Sequence, residues 1–175
     1  DGIEHLDYNP DIGHTSIYNK DYLMANVEGG EYYDYYYASD SDRENQVRTE
    51  IIDTLHGEHW IYRQKDIRNW WENNHFNRIN GIRESSSTSW IPQSKKIYFT
   101  EYGCPCIDKG SNQPNVFVDP KSSESFTPYF SSGQRDDLIQ RKYNESMIQY
   151  WKENSPPGML STSDMLAWTW DARPF

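Results

Sequence analysis

The sequence predicts an α/β fold whose strands run parallel. Three short segments, 59–65, 96–101 and 165–172, are rich in β-branched and aromatic residues, and helical or loop-forming stretches separate them. Strand, crossover, strand, helix, strand is the order found in a parallel α/β sheet. Each predicted strand is also nearly all apolar or aromatic, which is typical of a sheet covered on both faces.

The first half of the chain carries weaker helix signals. Residues 21–38 are rich in helix formers, but Gly29-Gly30 interrupts them, so two helices over about 21–27 and 32–38 are predicted. Ser39 or Asp40 is an N-cap residue type and predicts a further helix to about Val47. After the strand at 59–65, we expect one helical turn around Trp70 and otherwise loop.

The second half gives the most regular pattern. A strand at 96–101 is followed by a long loop, 102–132, rich in Pro, Gly, Ser and Asn, and loops of this length are often functional. Apolar residues at helical spacing then predict a helix over 134–152. Pro156-Pro157-Gly158 ends it, and the strand at 165–172 follows.

Length and composition limit the classes of function that are possible for this chain. A chain of 175 residues suits one globular domain, 1–175, and its net charge of −10 offers no basic track for nucleic acid. No apolar run is long enough to span a membrane, and the first residues do not resemble a secretion signal. Aromatic residues make up 15% of the chain, mostly Tyr and Trp, which suit a core, an interface or the faces of sugars.

Two predicted strands end on a carboxylate. Ile97, Phe99 and Glu101 are expected on one face of the second strand, and the third strand ends at Asp171. A strand-end glutamate is either an ordinary solvated residue or a catalytic carboxylate at the mouth of an α/β barrel, where catalytic groups lie at the C-terminal strand ends. Glycoside hydrolysis needs two such carboxylates.

Other residues are candidates for substrate binding at the same strand ends. Tyr102 and Asp171 are placed at the expected barrel mouth, and Trp168 or Trp170 could stack on a sugar, unless both tryptophans face the helices and belong to the core. Arg63 could keep Glu101 ionised by proximity, or form a structural ion pair.

The sequence gives little indication of a metal or cofactor. His56 and His59 are three residues apart, but no third ligand is evident, so no metal site is predicted. Cys104 and Cys106 are too close in sequence for an unstrained disulfide and are expected to be free thiols. No cofactor is expected.

Five segments closely resemble the glycoside-hydrolase-like TIM-barrel domain of gene transfer agent and phage tail proteins, including host-specificity and tail-tip proteins. They cover most of the chain in order: "YLMANVEGGEYYDYYYAS", "NWWENNHFNR", "YFTEYGCPCIDKGSNQPNVFVDPKSSES", "RDDLIQRKY" and "AWTWDARPF". The resemblance implies that the chain is the C-terminal part of a (β/α)8 barrel and a fragment of a larger protein. Strands six, seven and eight would be 59–64, 97–101 and 166–171.

The resemblance also implies roles. Barrel glycosidases of this general type carry a nucleophilic glutamate at the end of strand seven, which Glu101 matches, and an acid/base glutamate on strand four, which would precede Asp1. The chain alone is therefore expected to be inactive. Two functions remain open: a retaining glycoside hydrolase domain acting on a cell-envelope glycan, and an inactive structural or receptor-binding module of the tail.

Partners and location follow from the same resemblance. The expected partners are a cell-envelope polysaccharide or peptidoglycan and other tail proteins. The protein would be bacterial, made in the cytoplasm and assembled into a tail-like particle. Three strands alone would leave open sheet edges, so self-association through these edges is also expected.

Overall fold

The computed structural model describes residues 16–168, which form a mixed α/β structure. Its helices and strands are short, apart from one 18-residue helix. In chain order they are α1 (Lys20–Ala25), β1 (Tyr35–Tyr36), α2 (Asp40–Glu44), β2 (Thr49–Glu50), α3 (Ile67–Glu72), β3 (Phe76–Ile79), β4 (Ile82–Ser87), β5 (Phe99–Tyr102), α4 (Asp137–Asn154) and β6 (Met165–Ala167).

The strands of the described region pair as three two-stranded sheets. β1 pairs with β2 and β3 with β4, both antiparallel, whereas β5 pairs with β6 in parallel. The parallel pair joins the last two predicted strands and has α4 between them in sequence, as a βαβ unit requires. The expected row of three parallel strands is wrong, and residues 16–168 form no closed barrel.

The prediction of a first strand over 59–64 is wrong. Residues His59–Tyr62 form a 3₁₀ helix, and the expected strand over 59–64 is absent. The backbone N–H groups of Ile61 and Arg63 donate to the carbonyls of Glu58 and Trp60 and close the turns of this segment. The turn just before them is held by the Asp53 carboxylate, which accepts the backbone N–H groups of Leu55, His56 and Glu58. These local hydrogen bonds compete with strand pairing, and β propensity alone did not reveal them.

The predicted helices are confirmed at four of five places. α1, α2, α3 and α4 lie where helical patterns were found, and Ser39 caps α2 through a hydrogen bond from the N–H of Asp42. The helix expected over 32–38 is wrong. Gly30 and Tyr32 both have positive φ, and the Asp34 carboxylate accepts the N–H of Gly30, so the chain turns there.

The β3–β4 hairpin occupies a stretch that was expected to be mostly loop. Asn80 and Gly81 both have positive φ and connect Ile79 to Ile82, as a two-residue type I′ turn requires. An Asn-Gly pair between apolar residues is a strong hairpin signal, so the sequence contained the information for this element.

The main core lies where α4 crosses the β5–β6 pair. Its buried residues are Trp71, Trp151, Met159, Leu160 and Met165. The Trp71 indole N–H donates to the carbonyl of Lys95 at 2.6 Å, so this buried tryptophan has its polar group satisfied. α1 packs against α4 at one side of this core. Between residues 16 and 168, no helix combines the length and the apolar character needed to cross a membrane.

Candidate functional site

Glu101 lies near the end of β5, as predicted, with its side chain exposed. The pairing of β5 with β6 shifts by one residue between Phe99 and Tyr102. This irregularity packs both Phe99 and Tyr102 against the main core and leaves Glu101 outside it. The expected common face of Phe99 and Glu101 is therefore interrupted. Among the described residues, the Glu101 carboxylate accepts no hydrogen bond and joins no ion pair.

Trp168 and Tyr102 lie together at this strand end. The backbone N–H of Trp168 donates to the carbonyl of Tyr102 at 2.7 Å, and 57% of Trp168 is exposed. Burial raises the pKa of the Tyr102 phenol, so Tyr102 is neutral at physiological pH. The structure thus brings Glu101, Tyr102 and Trp168 to one end of the parallel pair. We call this group the strand-end site.

Arg63 contacts other groups. Its guanidinium lies over the ring of Tyr33, 4.8 Å from the ring centroid, and Nη1 is 3.5 Å from Oδ2 of the buried Asp66. These contacts are those of a structural ion pair, one of the two interpretations left open by the sequence. Trp170 and Asp171 lie outside the described residues.

The histidine pair is also engaged in structure. The backbone N–H of Asp53 donates to Nδ1 of His59 at 2.7 Å, which uses that ring nitrogen as an acceptor. Between residues 16 and 168, no three His, Cys, Asp or Glu side chains are grouped as metal ligands. Cys104 and Cys106 are free thiols, and burial raises the pKa of Cys104 to about 12, which makes it a poor nucleophile.

A cavity of about 530 Å³ lies between α1, α4 and the loop 111–115, and we call it the α1–α4 cavity. Its walls are rich in aromatic rings and side-chain amides. Neither Glu101 nor Trp168 lines it. The aromatic residues on its walls are Tyr22, Tyr32, Phe99, Tyr129, Tyr143 and Trp151.

The charged side chains on the cavity wall are both paired. Glu31 accepts two hydrogen bonds from the guanidinium of Arg43, at 2.5 and 2.6 Å. Lys65 Nζ donates to the carbonyls of Asn26 and Gly29, at 2.9 and 3.0 Å. Burial also raises the pKa of Tyr143. The Glu31 charge is thus balanced by Arg43, whereas the Lys65 ammonium is bonded to two neutral carbonyl groups.

Sequence reasoning missed this cavity, because its walls come from segments more than 100 residues apart. One signal was nevertheless present. Ser146 stands on α4 between Tyr143 and Met147, where helical spacing places a residue on the buried stripe, and it is 1% exposed. A polar residue on such a stripe indicates either a buried hydrogen bond or a polar cavity.

Comparison with known proteins identifies the family. No curated protein matches the chain. A family model does match, over residues 1–175, and this confirms the gene transfer agent and TIM-barrel part of the resemblance described above. The chain belongs to the family of the GTA TIM-barrel-like domain, the TIM-barrel-like domain of gene transfer agent proteins.

Proposed function

We propose that this domain acts on a cell-envelope glycan as a glycoside-hydrolase-like part of a gene transfer agent protein. The observation that carries the proposal is the strand-end site: an exposed carboxylate and an exposed indole lie at the C-terminal end of a parallel strand pair. In TIM-barrel enzymes this end of the strands bears the catalytic groups.

The chemistry assigned to Glu101 is that of the nucleophile in a retaining hydrolase. Its carboxylate oxygen attacks the anomeric carbon while a second carboxylic acid, about 5 Å away, protonates the departing glycosidic oxygen. Water, deprotonated by that second group, then cleaves the glycosyl ester and restores Glu101. Trp168 provides an apolar face on which a sugar ring can stack.

A specific observation supports the alternative of an inactive binding module. Catalytic carboxylates are usually held in place by neighbouring hydrogen bonds, and the described residues provide none for Glu101. In this alternative the domain recognises an envelope glycan or another tail protein without cleaving it. The tail-like particle, and its assembly from proteins made in the cytoplasm, belong to both versions of the proposal.

The deciding experiment compares the full-length protein, the parent, with its Glu101→Gln variant on purified peptidoglycan and surface polysaccharide. Glutamine keeps the shape and removes the nucleophile, so we expect hydrolysis to fall by several orders of magnitude while glycan binding survives. Glu84→Gln, on the β3–β4 hairpin, makes the same chemical change away from the strand-end site and should keep full activity. Hydrolysis that is equal in parent and Glu101→Gln would refute the role of Glu101. No hydrolysis by the parent would favour the binding module.

A further inference from the structure

The α1–α4 cavity is too large to be a packing defect. Voids inside proteins rarely exceed the size of a few water molecules, whereas small-molecule sites occupy about 300–1,000 Å³. At about 530 Å³, this cavity falls within the second range. It is open to a ligand with the dimensions of one or two sugar rings.

Buried polar atoms in the cavity wall lack partners among the described residues. Trp151 is 3% exposed and its indole Nε1 has no hydrogen-bond acceptor, and Ser146 is 1% exposed with an unpaired hydroxyl. Both residues line the cavity. Leaving a buried polar group unpaired costs about 1–3 kcal/mol. Neither atom has appreciable accessible surface, so the neighbouring side chains must move slightly before a ligand in the cavity bonds them and removes this cost.

Two side-chain amides of the wall can form hydrogen bonds with the hydroxyl groups of a ligand. Asn26 donates its amide nitrogen to the carbonyl of Tyr22, and its own side-chain oxygen remains as an acceptor. Gln113 accepts the N–H of Tyr129, and its amide nitrogen remains as a donor. A hydroxyl group both donates and accepts, so it can use groups of both kinds.

We propose that the α1–α4 cavity is a binding site for a neutral saccharide of one or two rings. Aromatic rings would pack on the CH-rich faces of the sugar, and the amides and buried polar atoms would bond its hydroxyl or acetamido groups. We assign a neutral ligand because Glu31 already has the Arg43 guanidinium as its counter-charge, and the Lys65 ammonium already donates to two backbone carbonyls. This site does not include Glu101 and does not depend on hydrolysis.

The test follows tryptophan indole signals of the whole chain by ¹H–¹⁵N NMR during titration with N,N′-diacetylchitobiose. The Trp151 signal, assigned as the one missing from Trp151→Phe, should move in a saturable way, because Trp151 lines the cavity. We expect Ser146→Ala to weaken the affinity about fivefold, since one hydrogen bond to the ligand is lost. Trp70→Phe, on α3 and not among the residues that line the cavity, should leave the affinity unchanged.

The same titration separates this proposal from the function assigned to the strand-end site. Movement of the Trp168 signal alone, no movement of any indole signal up to about 50 mM sugar, or equal movement of all of them would overturn the cavity proposal. Glucuronic acid should move the Trp151 signal much less than the neutral sugar, because Arg43 is bonded to Glu31 and Lys65 already donates to two backbone carbonyls. A stronger effect of glucuronic acid would also overturn it.

Discussion

At the scale of single residues, the Glu31–Arg43 pair is the strongest polar contact near the cavity. Glu31 is 1% and Arg43 6% exposed, and two parallel hydrogen bonds join them. Arg43 also lies between the rings of Tyr37 and Tyr129, at 4.6 and 3.8 Å from their centroids. Burial disfavours the charged guanidinium, but the bonds and charge of Glu31 outweigh it and raise the pKa of Arg43.

Removing one partner should therefore be costly. Glu31→Gln leaves the Arg43 charge buried without its counter-charge, and we expect the free energy of unfolding to fall by about 3 kcal/mol. Urea denaturation followed by far-UV circular dichroism measures this change. The control is Asp137→Asn, which breaks the exposed pair with Arg135 and should leave the stability nearly unchanged. Equal effects of the two variants would show that the buried pair has no special weight.

At the scale of elements, Glu58 fixes the β3–β4 hairpin to the body of the molecule. Its carboxylate, next to the 3₁₀ helix His59–Tyr62, accepts hydrogen bonds from Arg78 on β3 and from Arg83 on β4. The hydrogen bonds from Arg83, and to a smaller extent the one from Arg78, lower the pKa of Glu58 below its ordinary value of 4.5. Burial of the carboxylate opposes this shift but does not cancel it.

This link should make the hairpin sensitive to acid. Because the pKa of Glu58 is lower in the folded state, its stabilising effect is complete above about pH 4.5 and is lost as the pH falls through the folded value. We expect amide protection factors in residues 76–87 to decrease over that acidic range. The measurement is hydrogen exchange of the wild type and Glu58→Gln, in which the hairpin should already be less protected at neutral pH.

Glu84→Gln is the matched control for the hairpin experiment. Glu84 is on the same hairpin, and among the described residues its carboxylate accepts one long, exposed hydrogen bond, from Asn77 at 3.3 Å. Its replacement should leave the protection factors unchanged. If Glu58→Gln and the control behave alike, the contacts to Arg78 and Arg83 do not hold the hairpin.

Comparison of the elements shows which parts of the fold are determined by local sequence signals. α2 and α4 were predicted because their signals, capping groups at the N-terminus and, in α4, the spacing of apolar residues, act within one or two turns. Asp136, for example, accepts the N–H groups of Leu138 and Ile139 at the start of α4. The segment 59–64 was predicted wrongly because it forms local turns, with Ile61 and Arg63 donating to the carbonyls of Glu58 and Trp60, and its β-forming side chains do not reveal these bonds.

At the scale of the whole molecule, the sequence predicted the parallel strand pair but not the α1–α4 cavity. β5 and β6 were identified as neighbours of one sheet because the βαβ order constrains them. The α1–α4 cavity depends on the contact between helices 110 or more residues apart, and no local pattern specifies its shape. The placement of Glu101 and Tyr102 at a strand end, by contrast, needed only the boundaries of β5, whereas Trp168 was predicted inside a longer strand and follows the last residue of β6, Ala167.

The open edges of the sheets give the last prediction. Within the described residues β5 pairs with β6 alone, and Tyr98 and Thr100, which share one face of this segment, are exposed. An uncovered strand edge offers unpaired N–H and C=O groups to another chain. We expect the isolated chain to self-associate through this edge, so its sedimentation coefficient should rise with protein concentration.

A charge introduced on β5 distinguishes association through this edge from non-specific association. Thr100→Lys places a cation on β5 and should shift the association to higher concentration, because two copies would bring like charges together at the edge. Asn154→Lys adds the same charge at the end of α4, away from the strand, and should associate like the wild type. A wild-type chain that sediments as a monomer at every concentration would contradict the prediction. Equal weakening by both lysines would show that the association does not use the β5 edge, since a change in net charge from −10 to about −9 should by itself favour association.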